Sequence, residues 1–162
     1  MTDRAAAGEA MRPPVGPAAL PRIVVTFLAD RAEYAPGDVL HARYRVEAVD
    51  PTTITAIERS VVWYTEGKGE EDFGVVFFDR LVADRSGNTA DKPADPDLNE
   101  WQKGSFSTRL PPSPLSYEGL IVKIRWCVRV RLFFAGGRDF VSEHVFFVGD
   151  IPVARPLELA VP

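Results

Sequence analysis

The chain has 162 residues, 46% of them apolar and 26% charged, with a formal net charge of −4. That is the make-up of one soluble domain with its own core, and the acidic balance speaks against a general nucleic-acid binder. Cys127 is the single cysteine, which excludes an internal disulfide and a cysteine-rich zinc site and fits a reducing cytoplasm. No transmembrane segment is expected, because no apolar run approaches the roughly 18 residues of a membrane span, and the start of the chain lacks the apolar stretch of a signal peptide.

Residues 1–21 mix Ala, Gly, Pro and charge without periodicity and are expected to be a disordered N-terminal tail, with the folded domain over residues 22–150. Residues 23–28 are a short β-rich run. Residues 30–38 read as a turn, because Tyr34-Ala-Pro-Gly-Asp holds the strongest local breakers. A strand follows in which Leu40, Ala42, Tyr44 and Val46 share one parity and His41, Arg43, Arg45 and Glu47 the other. Such alternation means one dry face and one wet face. Asp50-Pro-Thr-Thr ends it, and residues 54–65 form the next strand, with Ile57, Val61 and Trp63 on one parity and Val62 and Tyr64 on the other. The two glycines and four acids of residues 66–72 make a solvated hairpin tip, and residues 75–81 are strand again. Residues 84–104, rich in Asp, Pro, Asn and Gly, are expected to be an exposed loop of unusual length.

Leu110-Pro-Pro-Ser-Pro cannot lie inside a ladder, because proline lacks the N–H that pairing needs, so it is a bend, and Ser116-Tyr117-Glu118-Gly119 adds turn chemistry. From Leu120 the alternation is sustained: Leu120, Val122, Ile124, Trp126, Val128, Val130, Leu132 and Phe134 on one parity, Lys123, Arg125, Arg129 and Arg131 on the other. Ala135-Gly-Gly-Arg-Asp has the signal of a tight hairpin, and residues 140–148 make the return strand. Residues 151–162, with three prolines, form a tail or a last edge strand. Many strands without covering helices imply an all-β fold, an antiparallel β-sandwich of immunoglobulin-like kind with two packed sheets and about seven to eight strands.

The order of motifs resembles one arrestin-type β-sandwich domain. The resemblance rests on the Tyr34-Ala-Pro-Gly-Asp38 turn leading into a strand, Gly104-Ser-Phe106, Leu110-Pro-Pro112, the Ser116-Tyr-Glu-Gly119 turn, and a strand with Trp126 at its centre, spread over residues 23–149. It implies an arrestin-like sandwich in a single-domain version and a non-enzymatic adaptor or scaffold role. The Pro-Pro-x-Tyr ligase-docking motif of some relatives is absent, since Pro111-Pro112 is followed by Ser113-Pro114.

Candidate chemistry is sparse. His41 and His144 each sit on a predicted strand without a second ligand at metal spacing, and Asp91, Asp95, Asp97 and Glu100 do not match a calcium loop, so neither metal nor cofactor is expected. Ser113 and Ser116 have no nucleophile-elbow context, and no catalytic residue is assigned. Cys127 falls among arginines on the outer parity, where a lowered thiol pKa is conceivable; the competing reading is a packing residue, with no histidine nearby as base.

The basic parity stands above this background. Lys123, Arg125, Arg129 and Arg131 form one outward row, and His41, Arg43 and Arg45 another. If their strands share a sheet, they make a basic surface for an acidic peptide, a phosphorylated segment or lipid headgroups. The alternative is that the arginines pair with Glu58, Glu143 or Glu47 across strands. The pairs Phe77-Phe78, Phe133-Phe134 and Phe146-Phe147 must each send one ring outward, and Phe133 shares the parity of the arginines. The leading expectation is a cytoplasmic domain that binds a protein partner through an Arg/Phe sheet face or an open strand edge. The rivals are a structural subunit that self-associates as a homo-oligomer through its phenylalanine faces, and an anion-binding domain.

Overall fold

The computed structural model describes residues 20–83 and 102–156. Residues 1–19 of the tail expected over 1–21, most of the long loop and the last residues of the chain lie outside the described residues. Nine strands are present among the described residues: β1 Arg22–Phe27, β2 Glu33–Tyr34, β3 Val39–Glu47, β4 Ile54–Gly67, β5 Phe73–Val82, β6 Lys103–Arg109, β7 Tyr117–Glu118, β8 Val122–Phe134 and β9 Asp139–Val148. They form a three-stranded sheet in the order β1-β3-β6 and a six-stranded sheet in the order β2-β9-β8-β4-β5, with β7 against the start of β8. All pairings are antiparallel except the short β2–β9 contact. The result is an antiparallel β-sandwich.

Period-two patterning decides which residues fill the space between the sheets. Leu40, Ala42, Tyr44 and Val46 of β3 face Ile57 and Val61 of β4, Trp126, Val128, Val130 and Leu132 of β8, and Phe146 and Val148 of β9. Trp126 is fully buried, and its indole N–H donates to the Pro114 carbonyl at 3.1 Å. Burial of so large a ring stabilises the fold by about 3 kcal/mol, and the donated bond removes the cost of hiding its one polar atom. The bend before β8 is held to β9: the Val148 N–H donates to the Ser116 hydroxyl at 2.9 Å, and the Ser116 N–H to the Val148 carbonyl at 2.8 Å.

Several boundaries differ from expectation. β8 begins at Val122, because Leu120 and Ile121 are exposed turn residues. β5 is longer than residues 75–81 and carries a bulge: Val61 opposes Phe77 and Val62 opposes Val75, which leaves Val76 without an opposite number. Residues 151–156 contain no strand; the Ala154 N–H bonds the Glu118 carbonyl at 3.0 Å. The two basic rows do not share a sheet, since β3 pairs with β1 and β6 while β8 pairs with β4, β7 and β9. The single basic surface conceived from the sequence therefore does not form; the rows lie on opposite outer faces.

Candidate interaction surfaces

Register builds the outer face of the six-stranded sheet rung by rung. Val75, Val62, Cys127 and Val145 align across β5, β4, β8 and β9, making an apolar rung four strands wide on the side away from the core. Val62 and Cys127 are buried by their neighbours, whereas Val75 is 53% and Val145 43% exposed. On the next rung Phe78, Ser60, Arg129 and Glu143 align in the same way. Ser60 and Val62 floor a groove of about 180 Å³, with Phe73, Val75 and Phe78 on one wall and Arg129 and Arg131 on the other.

The cations of this face are matched by acids on adjacent strands. Arg125 donates to Glu66 at 2.6 Å and to Glu118 at 2.9 Å, and Lys123 lies 3.5 Å from Glu118. Arg129 donates to Glu143 at 2.8 Å and Arg131 to Asp139 at 2.7 Å. The hydrogen bond from Arg125 holds the Glu66 carboxyl below its usual range and pushes the guanidinium further up. Cross-strand pairing with Glu143 is as the sequence offered it, while Glu58 pairs instead with Arg80 at 2.9 Å. Phe133 is capped by the guanidiniums of Arg80 and Arg131, each 4.8 Å from the ring centre.

Each phenylalanine pair splits as alternation requires. Phe77 turns inward and stacks on Phe106, with centroids 4.9 Å apart, and Phe146 is in the core. Phe78, 58% exposed, and Phe147, 39% exposed, look outward. Cys127 is a packing residue: it shares the outer parity, but Val62 and Val145 flank it, and burial pushes its thiol up to about 12. A thiolate nucleophile is therefore disfavoured there.

The other basic row has a different setting. On the outer face of β1-β3-β6, Thr26, Arg43 and Ser105 share one rung, Val24, Arg45 and Lys103 the next, and His41 stands opposite Ser107. Arg45 lies 2.9 Å and Arg22 3.6 Å from Glu47, the one carboxylate on these rungs.

A functional candidate was missed in the sequence. Arg59 shares the inward parity of Ile57 and Val61 and is 8% exposed. Its guanidinium pairs with Asp79 of β5, donates to the Ser105 carbonyl of β6 at 3.4 Å, and lies near the Tyr44 and Phe106 rings. It thus ties the two sheets together. The signal was visible: Arg59 is the charged residue in an otherwise apolar inward series. His144 also has inward parity opposite Val128, and its Nε2 is 2.8 Å from the Ser142 hydroxyl. Among the described residues no group of acids, histidines and cysteine is arranged to hold a metal ion, and no helix is long and apolar enough to cross a membrane.

No family model matches the chain, and no curated protein does. Among solved structures, the chain is similar to the sporulation control protein Spo0M of Bacillus subtilis, at 13% identity over 82% of this chain and 51% of that chain, with a TM-score of 0.48. The chain thus spans about half the length of that protein.

Proposed function

We propose that this chain is a non-enzymatic adaptor or scaffold domain that docks a protein partner on the outer face of its six-stranded sheet. The apolar rung Val75-Val62-Cys127-Val145, flanked by Phe73 and Phe78, carries this reading. Rows of this kind on the wet side of a sheet are uncommon in monomers, and covering them releases water from several apolar side chains at once. The arginines around the rung are already held by Glu143 and Asp139, so a partner need not immobilise them on arrival. Lys123, Arg125, Arg129 and Arg131 then act as an ordered polar rim, with the Phe133 ring under the guanidiniums of Arg80 and Arg131 as an apolar contact beside it, and an apolar anchor seated over Val62 contributes most of the affinity. Charge matching on this face favours an apolar partner surface over an acidic or phosphorylated peptide. The arrestin-type motif order supports an adaptor over an enzyme, and the lone thiol supports a cytoplasmic site of action.

The test is a photo-crosslinking phenylalanine analogue placed at Phe78, with the same analogue at Ser107 on the opposite face as control. Adducts to a partner from Phe78 alone, abolished by Val75→Asp, are expected. Equal adducts from both positions, or none, would sink the reading. Adducts of the chain with itself, together with a dimer mass in light scattering, would assign the rung to a self-associating structural subunit instead.

A further inference from the structure

The outer face of the three-stranded sheet carries a charge imbalance found on no other sheet face described. Arg22, Arg43, Arg45, Lys103 and Arg109 stand against Glu47 alone, in a chain with 23 acids and 19 basic residues. Glu47 is shared between Arg22 and Arg45, and no carboxylate among the described residues is in ion-pair range of Arg43, Lys103 or Arg109. Arg109 donates to the Gly37 carbonyl at 2.8 Å, which satisfies a donor and leaves the charge uncompensated.

We propose that this face seats the domain on an anionic phospholipid surface. Side chains of one parity stand roughly perpendicular to a sheet, so these cations reach a common plane together. Two grooves among the described residues lie elsewhere, one on the other sheet and one at the end of the sandwich around Val49 and Phe134. The cations are spread over all three strands and not along the β1 or β6 border, which fits a planar polyanion better than an extended peptide added at an edge. Among the described residues no Phe, Tyr or Trp ring stands on its rungs, and the lone imidazole of His41 is a poor platform for stacking successive bases of a single strand. The hydroxyls of Thr26, Ser105 and Ser107 lie between the cations and can donate to phosphate oxygens. Val39, on the same parity as His41, is exposed and offers an apolar contact at the headgroup level. The acidic remainder of the molecule is repelled by the same surface, which leaves this face as the one that approaches.

Each basic side chain near an anionic bilayer contributes about five-fold to partitioning. The assay is co-sedimentation of the full chain with phosphatidylcholine vesicles, with and without phosphatidylserine. Binding is expected only when phosphatidylserine is present, declining as salt rises. Arg43→Gln with Arg45→Gln should reduce it by about 25-fold. Arg43→Gln with Lys103→Gln serves as a second variant, and both should keep the native circular dichroism, because the changed side chains are outward and exposed. Arg129→Gln, on the opposite sheet, should bind vesicles normally. Binding to neutral vesicles, no binding to either, or an equal loss with Arg129→Gln would overturn the proposal. Preference for poly-glutamate or for duplex DNA over vesicles would also overturn it, and would give the face to an acidic protein or to nucleic acid. Crosslinking from Phe78 reports on the other face, so the two readings fail separately.

Discussion

Replacing Asp79 by Asn should cost about 2 kcal/mol of stability, whereas replacing its partner Arg59 by Met should cost close to nothing. The Arg59 side chain is 10% exposed and that of Asp79 40%. Removing one member of a fully buried pair costs about 3–5 kcal/mol, because the survivor keeps its charge without compensation. Here the acid is well solvated in part, and the Ser105 carbonyl and the two rings stay with the guanidinium, which roughly halves that figure. Arg59 already bears a cost, since its buried Nε has no hydrogen-bond partner. Methionine would fill the space between Tyr44 and Phe106 without that cost. Urea unfolding at neutral pH reads both changes: with a slope of about 2 kcal/mol per molar, the Asp79→Asn midpoint falls by about 1 M and that of Arg59→Met holds. The double variant should behave like Arg59→Met alone. An unchanged Asp79→Asn midpoint, or an equal loss in Arg59→Met, would refute the account of this pair.

The Cys127 thiol, pushed up to about 12 against an ordinary 9.0, binds its proton more tightly folded than unfolded. Its contribution is therefore complete below about pH 9 and is lost as pH rises toward 12. Chemical denaturation across that range should show a shallower decline in Cys127→Ala, with Tyr34, Tyr44 and Tyr64, all raised by burial, supplying the remaining slope. Burial lowers the His144 pKa below its ordinary value of 6.5. The unfolded chain then takes up the proton first, and stability falls as pH drops below that value; melting temperatures from about pH 7 to about pH 5 should fall less in His144→Asn. A Cβ on Gly74 would lie 2.2 Å from the Trp63 indole nitrogen, so Gly74→Ala should displace that ring and cost about 1–3 kcal/mol, read by thermal unfolding and near-ultraviolet dichroism.

Alternation alone was enough to orient β3 and β8. Trp126 went inward and the flanking guanidiniums outward because a two-residue repeat admits no other arrangement once one face is dry. Parity assigns a side and says nothing of the neighbour, however. Hence the pattern leaves open whether the two basic rows share a surface, and pairing puts β3 and β8 in different sheets. Of the acids that offset Arg125, Glu66 of β4 depends on register between strands distant in sequence, which no local pattern carries, and Glu118 of β7 depends on the chain folding back over the turn before β8. Cys127 illustrates a related limit: an outer position on a central strand can be covered by flanking valines. Two-residue pairings such as β2 and β7 sit inside segments whose composition reads as turn.

The unmatched Val76 makes the border of β5 a poor template for polymerisation. No described strand pairs with the outer border of β5, and beside Val76 its amides and carbonyls fall out of step, so a straight incoming segment could pair on one side of the kink and would lose its partners on the other. A border interrupted in this way tolerates a brief visitor and frustrates the endless stacking that leads to fibrils.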